Sequence, residues 1–151
     1  FDPIAAEQFE QLKLLVAEGR WVIAELPGNK KYRLLYGNDS LIADNQDTIK
    51  HLMRLEAIER TDQPRGLRLA AANREAWLDI DSETLYQHQE NLEMRLAEAR
   101  QKLAGLKKRL ENPTYVEKAP AHLVEETREQ LAEQEKIITR LVSELEVISL
   151  K

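Results

Sequence analysis

The chain has 151 residues and a formal net charge of −5, and 32% of its residues are charged whereas 5% are aromatic. It contains no cysteine, which excludes disulfide frameworks and cysteine-based zinc or redox sites. The lack of cysteine suits a cytoplasmic protein, and we expect that location. No apolar run approaches the roughly 18 residues that a membrane span needs, so we expect no membrane partner. The chain begins at Phe1 with neither an initiator Met nor a signal-peptide pattern, and we expect it to be a segment of a longer protein.

Residues 1–80 predict a small α/β domain. Apolar residues recur at three- to five-residue steps from Ile4 to Val16, which predicts a helix over residues 5–17. Gly19 is expected to end this helix. Residues 21–24 then fit either a strand or a resumed helix, and we prefer the strand.

The rest of this domain predicts short strands around one helix. A strand is expected over residues 31–36, and Asp39 is expected to cap the helix that follows. Further short strands are expected over residues 57–61, 67–72 and 75–80. The apolar positions of the helical region, which we expect to be buried, are Leu41, Ile42, Ile49, Leu52, Met53 and Leu55.

Residues 81–151 carry an apolar pattern of a different kind. Two positions in seven recur at alternating steps of three and four over about four heptads in each of two runs, which is typical of a left-handed coiled coil. In the first run the pattern positions are Leu85, Gln89, Leu92, Leu96, Ala99, Leu103, Leu106 and Leu110. In the second run they are Val124, Thr127, Leu131, Gln134, Ile138, Leu141, Leu145 and Ile148.

The segment between the two runs predicts a tight reversal at residues 112–119. Asn112 is expected at the left-handed position after the first helix, and Pro113 cannot continue that helix. Pro120 suits the first turn of the next helix. A connection this short brings the helices together antiparallel, and about 28 residues per helix would span about 40 Å. We therefore predict an α+β protein in which a small α/β unit precedes a long antiparallel two-helix coiled-coil hairpin.

Basic residues are concentrated in the first helix of this hairpin and at its tip. Residues 94–118 hold four more basic than acidic residues, whereas residues 119–151 hold more acidic than basic ones. Such residues often cover a coiled-coil flank and pair with Glu one turn away. They could instead follow a phosphate backbone, which needs several cations on one rigid surface. In that interpretation the candidate RNA-binding residues are Arg95, Arg100, Lys102, Lys107, Lys108, Arg109, Tyr115 and Lys118.

Three of these cations, Arg95, Lys102 and Arg109, recur every seven residues and are expected on one face beside the apolar seam. Tyr115 could stack on a base, although packing across the helix ends is the preferred interpretation. Gly105 lies inside this helix and could let another backbone approach closely. The negative net charge argues against general nucleic-acid binding, and we expect no DNA partner.

No catalytic or metal site is predicted. His51, His88 and His122 lack the spacing of metal ligands. Asp79 and Asp81 flank the junction of a strand and a helix, where we prefer a strand-edge residue and a helix cap over a metal pair. The glycine-rich phosphate loops and the nucleophile motifs of enzymes are absent from the sequence.

The tip carries a more specific signal. The run Leu110-Glu111-Asn112-Pro113-Thr114-Tyr115-Val116-Glu117-Lys118-Ala119-Pro120, followed by Val124-Glu125-Glu126, resembles the C-terminal arm of valyl-tRNA synthetases. The runs over residues 79–81 and 92–96 resemble the approach to that arm. The resemblance covers residues 67–151 and extends over residues 29–59. The Arg-rich helix of that family keeps only its two ends here, at Arg20 and Glu25.

The resemblance implies a non-catalytic tRNA-binding module. In that family the arm contacts the elbow of the tRNA while separate domains use ATP to activate valine and transfer it. We therefore expect tRNA as the partner, specifically the valine tRNA, and no cofactor in this segment. We expect a monomer, with self-association left open.

Two other functions fit the sequence without the resemblance. The hairpin could be a protein-interaction coil, with Gln89 and Gln134 approaching each other and setting the register. It could also be an inert spacer. The basic first helix favours RNA over these two, whereas the acidic second helix favours a protein partner.

Overall fold

A computed structural model describes residues 2–70 and 72–149, which form an α+β protein. The chain divides into two compact units, Phe1–His88 and Gln89–Lys151. The division falls inside a long helix, so the first turns of that helix belong to the first unit. The predicted boundary lay a few residues earlier, at the point where this helix begins.

The first unit opens with helix α1, Pro3–Glu25, which runs without interruption. Our prediction that Gly19 ends the helix is wrong, as is the preferred strand over residues 21–24; the alternative of a continuing helix is correct. A Cβ atom at the buried Gly19 would overlap the terminal methyl of Met53. The glycine therefore serves the close packing of α1 against a neighbouring helix.

A four-stranded mixed sheet follows, and its strand order is β2-β1-β4-β3. The strands are β1, Arg33–Tyr36; β2, Ala57–Arg60; β3, Leu67–Arg68; and β4, Ala76–Asp79. The first two strands are parallel, while β4 is antiparallel to both β1 and β3. Two short helices, α2 (Ser40–Asp44) and α3 (Gln46–Met53), connect the parallel pair.

The core of this unit lies between the central strands and the helices. Leu34, Leu78, Ile42 and Ile49 are fully buried, as the alternation of the strands and the periodicity of the helices require. Two expectations for the helical region are wrong. It is broken at Asn45 into two helices, and Leu52 is 41% exposed instead of buried.

The predicted cap at Asp39 is confirmed, and the structure adds a second role for this carboxylate. Its Oδ1 accepts a hydrogen bond from the Ile42 amide at 3.1 Å. Both of its oxygens also accept from Nη1 of Arg74 at 2.9 Å. One nearly buried carboxylate thus joins the start of α2 to the loop before β4. The strand predicted over residues 67–72 is limited to β3, and Ala71 lies outside the described residues.

The second unit is built from two long helices and one short helix. These are α4, Ser82–Glu111, whose first turns belong to the first unit; α5, Pro113–Lys118; and α6, Ala121–Ser149. Between Gln89 and Glu111 the predicted heptad positions are the residues that are buried or half-buried, and every other residue is exposed. The heptad positions of α6 are likewise buried or half-buried. The pattern therefore identified the packed face of each helix.

The helix ends also match the sequence chemistry, with one correction. Asp81 accepts a hydrogen bond from the Thr84 amide at 2.7 Å, which confirms its predicted role as a cap and lowers the pKa of its carboxyl group. Asn112 is not left-handed: its φ is −83°, and its side chain accepts from the Thr114 amide at 3.0 Å. It begins α5, so the predicted tight reversal contains a short helix.

The two glycines with positive φ provide a matched test of the first unit. Gly28 and Gly66 have φ values of 88° and 91°, but only Gly66 lies against another backbone. A Cβ atom at Gly66 would overlap the carbonyl oxygen of Leu78, whereas one at Gly28 would meet no atom within 4 Å. We expect Gly66→Ala to lower the free energy of unfolding by about 2–5 kcal/mol, because strain and overlap add.

The matched variant Gly28→Ala should lose only about 1–2 kcal/mol, the cost of the backbone conformation. Urea denaturation followed by circular dichroism measures both values. Equal losses in the two variants would show that the contact between Gly66 and β4 contributes nothing.

Candidate nucleic-acid interface

The predicted basic residues lie on both flanks of the α4 seam. All of them are exposed, including Lys118 on α5. At 100° per residue, Arg95, Lys102 and Arg109 follow one flank. Arg100 and Lys107 follow the opposite flank, and Lys108 faces away from the seam. The structure therefore does not bring all the predicted residues onto one face.

One flank forms a groove with α6. The groove has a volume of about 500 Å³ and is lined by Lys102, Gly105, Leu106, Arg109, Gln130 and Gln134. A Cβ atom at Gly105 would meet nothing within 4 Å. The close backbone approach considered for Gly105 is therefore not made by any described residue. The missing side chain instead leaves open space between Lys102 and Arg109, which lie one turn to either side of it.

The groove offers hydrogen-bond donors without competing carboxylates in its lining. Lys102 and Arg109 supply cationic donors, and Gln130 and Gln134 supply neutral amides that donate and accept. A phosphodiester offers acceptor oxygens and a ribose offers hydroxyl groups, so both kinds of partner suit these side chains.

Most of the predicted cations on α4 and α5 form no ion pair within the described part of the chain. The sequence offers two roles for these basic residues: ion pairs with Glu one turn away, or contacts with a phosphate backbone. Among the residues that the structure describes, six of the predicted cations form no ion pair with a carboxylate: Arg100, Lys102, Lys107, Lys108, Arg109 and Lys118. On α6, by contrast, Arg128 pairs with Glu125 and Arg140 with Glu144.

Tyr115 joins α5 to the start of α6. Its hydroxyl group lies 2.8 Å from Oγ1 of Thr127 and donates to the Leu123 carbonyl at 3.3 Å. Thr127 is 3% exposed and donates to the same carbonyl at 2.9 Å. The guanidinium carbon of Arg109 lies 6.0 Å from the centre of the Tyr115 ring. The preferred packing role of Tyr115 is therefore confirmed, and base stacking by this ring stays a prediction.

One predicted contact within the helix pair is wrong. Gln134 lines the groove together with Lys102 and Gly105, which belong to the C-terminal half of α4. Gln89 precedes Lys102 by thirteen residues in the sequence, which corresponds to about 20 Å along a helix. The two glutamines therefore do not meet. The physical reason is that Gln134 lies near the middle of α6, whereas Gln89 lies near the start of α4.

Gln130 is a groove residue that the charge pattern does not predict, because its side chain is neutral. The heptad pattern contains a usable signal for it. Gln130 lies at the heptad position next to the α6 seam, just as Lys102 and Arg109 lie next to the α4 seam.

Comparison with known proteins identifies a family for the helix pair. Residues 79–149 match the family described as "Valyl tRNA synthetase tRNA binding arm". A valine–tRNA ligase of Petrotoga mobilis is 30% identical over 162 residues, which cover 97% of this chain and 18% of that protein. A valine–tRNA ligase of Ruegeria pomeroyi is 35% identical over 105 residues, covering 64% of this chain and 10% of that protein.

The chain thus spans less than a fifth of the length of these two relatives. The similarity to the Petrotoga protein also extends over the first unit, beyond the residues in which the resemblance was first noted. In the described part of the chain, no helix is both long and apolar enough to cross a membrane. On the match over residues 79–149, the helix pair of this chain belongs to the valyl-tRNA synthetase tRNA-binding-arm family.

Proposed function

We propose that the chain is a tRNA-binding C-terminal module of a valine–tRNA ligase. The helix pair acts as an antiparallel coiled-coil hairpin that contacts the elbow of the valine tRNA. It holds the tRNA for aminoacylation by catalytic domains outside this segment, and ATP is used in those domains. The segment binds tRNA as a monomer in the cytoplasm and contributes no chemistry of its own.

The geometry of the groove supports the hairpin. Gln130 and Gln134 of α6 face Lys102, Gly105, Leu106 and Arg109 of α4. All of these positions lie on the tip-proximal halves of the two helices, as expected when the chain reverses at α5. The exposed flanks and the buried seam of α4 follow the heptad pattern, which supports a coiled coil.

The observation that carries the proposal is the set of unpaired cations around a groove on a family-matched helix pair. Each phosphate contact releases counterions, so cations that no carboxylate neutralises add directly to affinity and to its salt dependence. The overall charge of −5 does not oppose this, because the excess of basic residues is local. Amide side chains beside the cations would reach ribose hydroxyl groups, which distinguish RNA from DNA.

A protein-interaction coil is the second candidate. Met94 and Leu123 favour it, because both are large apolar residues and they are 61% and 40% exposed. The heptad seam is already buried within the chain, however, and these two residues do not form a second seam. The polar flanks of the helix pair, with their cations and amides, suit an RNA partner better than a protein partner.

The decisive test compares two pairs of substitutions that remove the same charge. In Lys102→Gln/Arg109→Gln the groove loses both cations. In the matched control, Arg128→Gln/Arg140→Gln, the cations removed are already paired with Glu125 and Glu144. Fluorescence anisotropy with valine tRNA at several salt concentrations gives Kd and its salt slope.

We expect the groove variant to bind several-fold more weakly and to lose about 1.5 units of salt slope, because two phosphate contacts are gone. The control should stay close to the wild type. Equal behaviour of the two variants would contradict a groove contact. If the wild type binds no tRNA at the lowest salt, the protein-interaction coil becomes the better hypothesis.

A substitution at Gly105 distinguishes an effect on stability from an effect on tRNA binding. Gly105→Ala should raise the free energy of unfolding by about 1 kcal/mol, because alanine favours the helix and meets no neighbour. The added methyl narrows the groove, so we expect weaker tRNA binding by a more stable protein. Ala97→Gly, an exposed position away from the seam, is the control: it should lose stability and keep its affinity. Unchanged binding by Gly105→Ala would show that the groove at this point is not used.

Two substitutions of Tyr115 distinguish a role in packing from a role in base stacking. Tyr115→Phe removes the hydrogen bonds to Thr127 and Leu123 and should cost about 1 kcal/mol of stability. The ring remains, so tRNA affinity should be unchanged. Tyr115→Leu removes the ring and should weaken binding, because stacking contributes about 1–3 kcal/mol per base. Equal affinities of these two variants would assign Tyr115 to packing alone.

A further inference from the structure

The first unit carries a second basic groove, separate in the fold from the helix pair. It has a volume of about 560 Å³. Its lining residues come from α1, from the segment before β1, and from α3 with the turn that follows it. They are Arg20, Lys31, Asp47, Lys50, His51, Leu52, Arg54 and Leu55.

The four cations of this groove form no ion pairs within the described part of the chain. None of Arg20, Lys31, Lys50 and Arg54 forms an ion pair with a carboxylate among the described residues. Asp47 is the single acidic residue of the lining. Like charges gathered around a groove repel one another, and this repulsion favours an anionic ligand that neutralises them.

Among the described residues of the same unit, Arg68 also lacks an ion pair, but the four remaining arginines outside the groove are paired. Side-chain carboxylates pair with them at 3.2 Å or less; the pairs are Arg33–Glu59, Arg60–Asp62, Arg65–Asp79 and Arg74–Asp39. The absence of pairing in the groove is therefore not a general property of this surface.

Helix capping explains only part of the groove. Lys50 and His51 lie in the last turn of α3, where the partial negative charge of the helix end attracts cations. Arg54 ends this helix in the left-handed conformation, with φ 56° and ψ 49°. Arg20 and Lys31 come from other elements and have no such reason to be there. Tertiary structure places them beside the end of α3.

We propose that this groove is a second RNA-binding surface, which holds backbone phosphates of the tRNA with Arg20, Lys31, Lys50 and Arg54. An extended polyanion suits it better than one small anion, because the cations come from three different elements along an open groove. The contact reads no base sequence, since its charged donors meet phosphate oxygens. This inference rests on the proposed function and adds a contact surface outside the helix pair.

The test uses the full chain and two triple variants that remove the same charge. The groove variant is Arg20→Gln/Lys31→Gln/Lys50→Gln. The control is Lys13→Gln/Arg33→Gln/Arg60→Gln, which removes exposed cations that are already paired with carboxylates on the same unit. Thermal unfolding checks that both variants are folded, and Lys50→Gln alone replaces the groove variant if it is not. Kd for valine tRNA is then measured at several salt concentrations.

We expect the groove variant to bind at least fivefold more weakly and to lose about two units of salt slope, because three cations no longer contact phosphates. The control should keep the wild-type values. Equal losses in the two triples would overturn the proposal, because the effect would then be one of net charge. Wild-type values of Kd and salt slope in the groove variant would also overturn the proposal.

The helix-pair variant Lys102→Gln/Arg109→Gln, measured beside these, distinguishes the two hypotheses. Loss of binding in that variant alone would leave the proposed function in place and refute the second groove. Loss in the first-unit groove variant alone would support the second groove and refute the contact by the helix pair. A wild-type chain that binds no tRNA would refute both.

Discussion

The buried seam between α4 and α6 is the constraint on which the second unit depends. Leu92, Leu96 and Ala99 of α4, with Val124 and Leu141 of α6, are 9% exposed or less. Long helices with so narrow an apolar stripe gain most of their stability by covering it. Once the seam is covered, the surfaces left on α4 are its polar flanks and its outer face. A partner that contacts the polar flanks is therefore recognised mainly through charge and hydrogen bonds.

Ion pairing distinguishes basic residues that hold the fold together from basic residues that are available to a ligand. Arg74 is held by the nearly buried Asp39, and Arg65 donates to both oxygens of Asp79. The first pair connects the loop before β4 to the start of α2, and the second connects the turn before β3 to the end of β4. Exposed pairs contribute little to stability, so the useful distinction is availability for a ligand. Each of the two grooves, one in each unit, is lined by cations that lack such partners among the described residues.

Much of this architecture could be predicted from local sequence patterns. The heptads identified the packed face of α4, and the chemistry of Asp39 and Asp81 identified two helix starts. The candidate cations on α4 were identified because charge patterning is visible in one dimension. The predictions failed where one residue has two possible uses. Gly19 looked like a helix end, and Asn112 looked like a left-handed cap; the structure uses the first for packing against Met53 and the second to begin α5.

The sequence by itself determined the α+β class, the two long helices and the sign of the charge at the tip. These properties depend on periodicity and composition, which act over a few turns of helix. Tertiary structure alone decided which side chains share a groove. It brought Gln130 and Gln134 to Lys102 and Arg109, and Arg20 and Lys31 to the end of α3. The reason is physical: a groove is formed by residues distant in sequence, and their meeting depends on how helices and strands pack.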